Sequence, residues 1–218
     1  MKYLGSALAL AIGLAVPAHA VTLVNGGFEG EPNSYDLLPG GSNAITGWMT
    51  TNEGVEWFKP VQEYNLGPAK DGVSIIDLAW YTSNGTPGGG IQQTFATKPG
   101  AKYTVTFYGM NSTYAGRDGT GIVDVLINGN PLSSVNINRN AVTWTLADWQ
   151  KFTLPFTATT ALTTLEFQNH QNAFQHFAFI DAVSVSVPEP ATWALMILGL
   201  GMVGAGMRQR RKVAYTFG

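Results

Sequence analysis

In several stretches of residues 21–187 apolar side chains recur at every second position, the period of a strand with one buried face. In Tyr103-Thr-Val-Thr-Phe107, residues 103, 105 and 107 face one way, while Thr104, Thr106 and Tyr108 face the other. Val123, Val125 and Ile127 repeat the pattern and run into Asn128-Gly129, a pair that accepts the two positive φ angles of a type I′ hairpin. Leu165 and Phe167 alternate in the same way, and Phe177, Phe179, Asp181, Val183 and Val185 line one face of a last strand. Turn signals separate the runs at Pro39-Gly40-Gly41, Asn84-Gly85, Pro87 through Gly90, Lys98-Pro99-Gly100 and Arg117 to Gly121. Roughly eight or more short strands at this spacing, with no amphipathic helix of three turns, predict an all-β sandwich.

Both ends break the pattern. Residues 1–20 begin with Lys2, continue as an apolar run from Leu4 to Val16 and close on Ala18-His19-Ala20, the layout of a cleavable signal peptide. Residues 188–218 open with the linker Pro188-Glu189-Pro190, where two prolines stop any strand. No charge follows from Ala191 to Met207, and Arg208, Arg210, Arg211 and Lys212 come directly after. An uncharged run of that length predicts a transmembrane helix at about 191–207, at the short end of what crosses a bilayer. The basic cluster would stay on the cytoplasmic side, which places residues 21–187 outside.

Charge narrows the partners of the exported part. Between residues 21 and 187 there are 13 acidic and 7 basic side chains and no Lys/Arg cluster, so nucleic acid is a poor fit. The absence of cysteine excludes disulfides and thiolate metal sites. Sugar rings stack on aromatic faces, which makes Trp80, Tyr81 and Tyr108 the candidate carbohydrate-binding residues. Tyr108 lies on the polar side of its strand, and Trp80-Tyr81 leads into a Gly/Asn/Pro loop; Trp48 and Trp144 read as core. Glu53 and Glu56, close to Trp57, are the pair a glycosidase would need, but sequence spacing does not set their separation. His170 and His176 lack the spacing of a zinc site, and no Gly-x-Ser-x-Gly elbow is present. No catalytic residue is assigned, and the chain reads as a non-enzyme.

The tail Val187-Pro-Glu-Pro-Ala-Thr-Trp193, followed by the apolar run and the arginines, resembles the PEP-CTERM sorting signal of Gram-negative bacteria. That resemblance makes Pro188, Glu189, Pro190, Arg208, Arg210 and Arg211 the sorting motif and exosortase, a membrane enzyme, its partner. It implies export across the inner membrane, at least transient membrane anchoring, and then the cell surface or extracellular matrix. The middle of the chain resembles the choice-of-anchor C family and the plant cell-wall proteins of domain-of-unknown-function family 642. The matching stretches include Leu23-Val-Asn-Gly-Gly-Phe-Glu29, Ile45-Thr-Gly-Trp48, Asp71-Gly72, Gly90-Ile-Gln-Gln-Thr-Phe95 and Ile180-Asp-Ala-Val-Ser-Val185.

This second resemblance implies a galactose-binding-like jelly-roll and association with polysaccharide rather than a known reaction. It also implies one structural calcium ion held by the carboxylates of Glu29 and Asp181. Asp181 shares an alternating face with Phe179 and Val183, an odd place for an unpaired carboxylate unless the register breaks there. The leading expectation is a non-catalytic, polysaccharide-associated module of the envelope or biofilm matrix. The alternatives are a structural or adhesive protein that binds other proteins, or a glycoside- or ester-acting enzyme.

Overall fold

The computed structural model describes residues 21, 23–30, 35–59, 67–80, 85–138, 149–172, 174–187 and 192–210. The expected signal peptide, Tyr81, Trp144, Pro188, Glu189, Pro190 and Arg211 lie outside these residues. The chain divides into two units, Ala20–Pro188 and Met1–His19 with Glu189–Gly218.

The first unit is the expected all-β sandwich. One sheet has the order β1 (Tyr35–Leu38), β3 (Val55–Phe58), β4 (Ile75–Asp77), β11 (Phe179–Ser186), β6 (Lys102–Met110) and β9 (Gln150–Thr157). The other has the order β2 (Met49–Asn52), β5 (Gly89–Ala96), β10 (Leu162–Asn169), β7 (Gly121–Ile127) and β8 (Asn130–Ile137). Neighbouring strands pair antiparallel, so alternate residues of each strand meet between the sheets. Tyr103, Val105, Phe107, Val123, Val125, Leu165 and Phe167 are all buried there. The hairpin at Asn128-Gly129 forms as the pair predicts, with φ of 52° and 74°.

The segment before β1 is locked by two tryptophans. Trp48 Nε1 donates to the Asn25 carbonyl and Trp57 Nε1 to the Phe28 carbonyl, each at 2.8 Å. Both indoles can therefore be buried without an orphaned donor. Phe28 between them is fully buried.

The last strand departs from the expected single face. Its register against β6 shifts between Asp181 and Ser184, where Ala182 takes φ 51°. This bulge turns Phe179 and Asp181 to the outer side of the six-stranded sheet, while Ile180, Val183 and Val185 face the main core. Phe179 joins Phe58, Ile75, Ala79, Met110 and Phe177 in a second apolar cluster on that outer side.

The second unit contains α1 (Thr192–Arg210), with Arg208 exposed near its end. Among the described residues no helix is long and apolar enough to cross a membrane, so the structure does not bear out the transmembrane helix expected at 191–207. The helix has 19 residues, but they include Arg208, Arg210 and four glycines, which dilute the apolar run.

Candidate ligand-binding face and acidic turn

The outer side of the five-stranded sheet carries a band of polar side chains. Register places Thr51, Gly90, Gln168, Asp124 and Ser134 in one row across all five strands. At about 4.8 Å between strands, the row is roughly 19 Å long. Met49, Gln92, Glu166 and Leu126 form the adjacent row. Gly90 leaves the row open at its own position, and a Cβ there would lie 2.3 Å from Thr51 Oγ1. Through this gap the Thr51 hydroxyl donates to Glu166 Oε1 at 2.7 Å, and Gln168 Nε2 donates to the same oxygen at 2.8 Å. Farther along, Ser134 Oγ donates to Asp124 Oδ1, and His170 Nδ1 lies 2.7 Å from Asp124 Oδ2. A surface pocket of about 240 Å³ adjoins the band, lined in part by Asn43, Met49, Gln92 and Thr94. Apart from Met49 and Leu126, the outward side chains of the two rows are carboxylate, amide and hydroxyl groups; Thr51, Glu166 and Gln168 hold one another in place, as do Asp124 and Ser134.

The two expected calcium ligands come to opposite sides of one turn. Glu29 Oε1 accepts from the amides of Val73 and Ser74 at 3.0 Å each. Asp181 Oδ2 accepts from the amides of Lys70 at 2.7 Å and Asp71 at 3.0 Å, and its Oδ1 accepts from Ala182 at 2.6 Å. Asp181 has no exposed surface, and among the described residues no basic side chain pairs with it. Burial, against the lowering effect of those amides, pushes its pKa up to about 7. Two carboxylates at a turn, one of them buried without a counter-charge, are oxygen donors suited to a hard cation. The Asp71 carboxylate at the same turn also raises the Asp181 pKa, but no three such groups among the described residues are placed to hold one metal ion, so main-chain carbonyls or water would have to complete a calcium shell.

The other candidates are dispersed. Tyr108 is half-buried on the outer side of the six-stranded sheet, register partner of Asp181, with Lys70 Nζ 4.6 Å from its ring centre. Trp80, also half-buried, lies three residues beyond Asp77, whereas Ile75 holds the place level with Asp181 and Tyr108. Tyr108 thus belongs to the other sheet from the polar band, whose strands turn Phe95 and Phe167 into the core. Glu53 is exposed in the turn after β2, away from Glu56, which is buried beside Asp77 on the neighbouring strand. Burial, and then the nearby Glu56 carboxylate, hold the Asp77 pKa well above its ordinary range. The histidines are separate as well: His170 pairs with Asp124, and His176 lies 3.3 Å from Asp118.

The polar band escaped the sequence reading because Thr, Gln, Glu and Asp at alternate positions look like any wet strand face. The one signal available is the absence of Lys and Arg from all five strands.

The family described as "Protein of unknown function (DUF642)" matches residues 21–186, and the PEP-CTERM protein-sorting motif matches residues 186–212. No curated protein matches. Among solved structures, the chain resembles an arabinose-bound GH51 α-L-arabinofuranosidase, with TM-score 0.51 and 13% identity over 79% of this chain and 27% of that one. It also resembles the CBM22-1 xylan-binding domain from Paenibacillus barcinonensis Xyn10C, with TM-score 0.46 and 11% identity over 74% of this chain and all of that one. A third is the module TmCBM61 in complex with β-1,4-galactotriose, with TM-score 0.42 and 16% identity over 66% of this chain and 90% of that one.

Proposed function

Because the chain belongs to the DUF642 family and ends in a PEP-CTERM motif, we propose that it is an exosortase-sorted surface protein that binds polysaccharide without cleaving it. The observation that carries the binding half is the band built on Thr51, Glu166, Gln168 and Asp124. Sugar hydroxyls donate to carboxylates in charge-assisted bonds and accept from amides and hydroxyls. Side chains already fixed by mutual hydrogen bonds lose little freedom when a ligand arrives. A sheet face that serves only solubility normally mixes both signs of charge, and this one has no cation on its strands.

Affinity electrophoresis of the full-length protein through gels containing the producing cells' own extracellular polysaccharide tests the binding. Retarded migration is expected, and unchanged migration in every such gel contradicts it. For the sorting half, Pro188→Ala with Pro190→Ala is expected to keep the protein with the cells and out of the medium. Unaltered release into the medium would contradict sorting by this tail.

The acidic turn is the proposed calcium site, with Glu29 and Asp181 as its carboxylate ligands and the anchoring of residues 70–74 as its effect. A bound calcium ion would supply the positive charge that Asp181 lacks. Without calcium, Asp181 ionises near 7 in the folded chain, against 3.8 in its ordinary state. The folded state then binds the extra proton between those values, so stability falls as pH rises across that window, by up to about 4 kcal/mol. Asp77, also raised, acts in the same direction. The chelated protein is therefore expected to melt at a lower temperature at pH 7.5 than at pH 5, with calcium restoring the loss. Equal melting temperatures with chelator and with calcium at pH 7.5 would remove the ion from the account.

A further inference from the structure

We infer that the polar band selects uncharged polysaccharides and disfavours those rich in uronate or sulfate. This rests on the binding face proposed above and adds the chemical class of its ligand. The five strands of that sheet contain no Lys or Arg, so no strand residue can neutralise an anionic sugar. They do present two carboxylates. Glu166 and Asp124 are diagonal neighbours, since Glu166 is level with Leu126 and Gln168 with Asp124. Sheet geometry puts such a pair about 7 Å apart, close enough for one sugar unit to meet both.

The carboxylates are held by neutral donors rather than by ion pairs with Lys or Arg. Glu166 Oε1 takes the Thr51 hydroxyl and the Gln168 amide, while Oε2 has no hydrogen-bond partner among the described residues. Asp124 takes the Ser134 hydroxyl on one oxygen and the exposed His170 imidazole on the other. Among the described residues, His170 is the one side chain bonded to the band that can become cationic, and it does so only when protonated. Hydroxyl groups of an uncharged glycan can donate to these carboxylates. A uronate at the same place brings a like charge to within about 5 Å of each, which weakens binding by about tenfold even at the dielectric constant of water.

The test is affinity electrophoresis of the full-length protein at low salt in gels of uncharged polymers (galactomannan, xylan, hydroxyethylcellulose) and of acidic ones (polygalacturonate, alginate). Retardation by at least one uncharged polymer and by neither acidic one is expected. The double variant Glu166→Gln, Asp124→Asn keeps the side-chain shapes and removes both charges. It should narrow the gap between the two polymer classes by about tenfold, with an unchanged melting temperature. Acidic polymers binding the wild type as tightly as uncharged ones, or a gap unmoved in the double variant, would overturn the inference. Failure of the underlying reading looks different: no polymer binds, or binding survives Glu166→Ala combined with Gln168→Ala.

Discussion

Gly26→Ala is expected to destabilise the sandwich by about 3–5 kcal/mol, a large share of the roughly 5–15 kcal/mol that a domain has in total. A Cβ at this position would lie 1.9 Å from the Val183 carbonyl oxygen, an approach that only backbone movement can relieve. The same two segments are joined by the Val183 amide, which donates to the Gly26 carbonyl at 2.8 Å. Movement of Gly26 would also shift Asn25 and Phe28, whose carbonyls satisfy the buried indoles of Trp48 and Trp57. Overpacking costs about 1–3 kcal/mol, and each weakened buried hydrogen bond adds about 1 kcal/mol. Urea unfolding measures the change. Gly100→Ala is the control, because nothing lies within 4 Å of a Cβ there and only its φ of 80° is strained. A cost for Gly26→Ala no larger than the control's would mean that the first segment and the last strand are not packed as described.

Glu166→Ala is expected to weaken polysaccharide binding by about 10- to 100-fold while leaving the fold intact. The carboxylate accepts from both Thr51 and Gln168, so its loss removes a ligand contact and releases two other band residues together. One charge-assisted hydrogen bond is worth about 1.5–3 kcal/mol, and each 1.4 kcal/mol is a factor of ten in affinity. Glu166 is only half-buried on the outer side of its sheet, and its truncation opens no core cavity. Isothermal titration with the retained polysaccharide and thermal melting separate the two effects. Weaker binding accompanied by a lower melting temperature would assign Glu166 to stability instead.

Much of the fold was legible because strand alternation and turn chemistry are local. Tyr103 to Phe107 and Val123 to Val125 bury the residues that alternation selects, and Asn128-Gly129 makes its hairpin. Alternation failed at β11, because a bulge at Ala182 is a property of two strands in register and leaves no mark in one strand's pattern. That bulge explains how Asp181 can be buried outside the main core, bonded to the amides of Lys70 and Asp71 more than a hundred residues earlier.

The polar band was illegible for the same reason at longer range. Thr51 and Glu166 are 115 residues apart and meet only through the order β2-β5-β10. The aromatic candidates were instead legible one residue at a time, and of these Tyr108 lies on the outer side of the six-stranded sheet. Nearness along the chain likewise paired Glu56 with Glu53, whereas the sheet puts Asp77 beside Glu56.

Polysaccharide bound as proposed lies across the outer side of the five-stranded sheet. Amide chemical-shift mapping of the isotope-labelled protein during titration with the retained polysaccharide tests it most directly. The largest shifts are expected at Thr51, Gln92, Asp124 and Glu166 through Gln168, with Lys70 and Tyr108 unmoved. Shifts centred on Lys70 or Tyr108, with the five-stranded sheet silent, would contradict that placement.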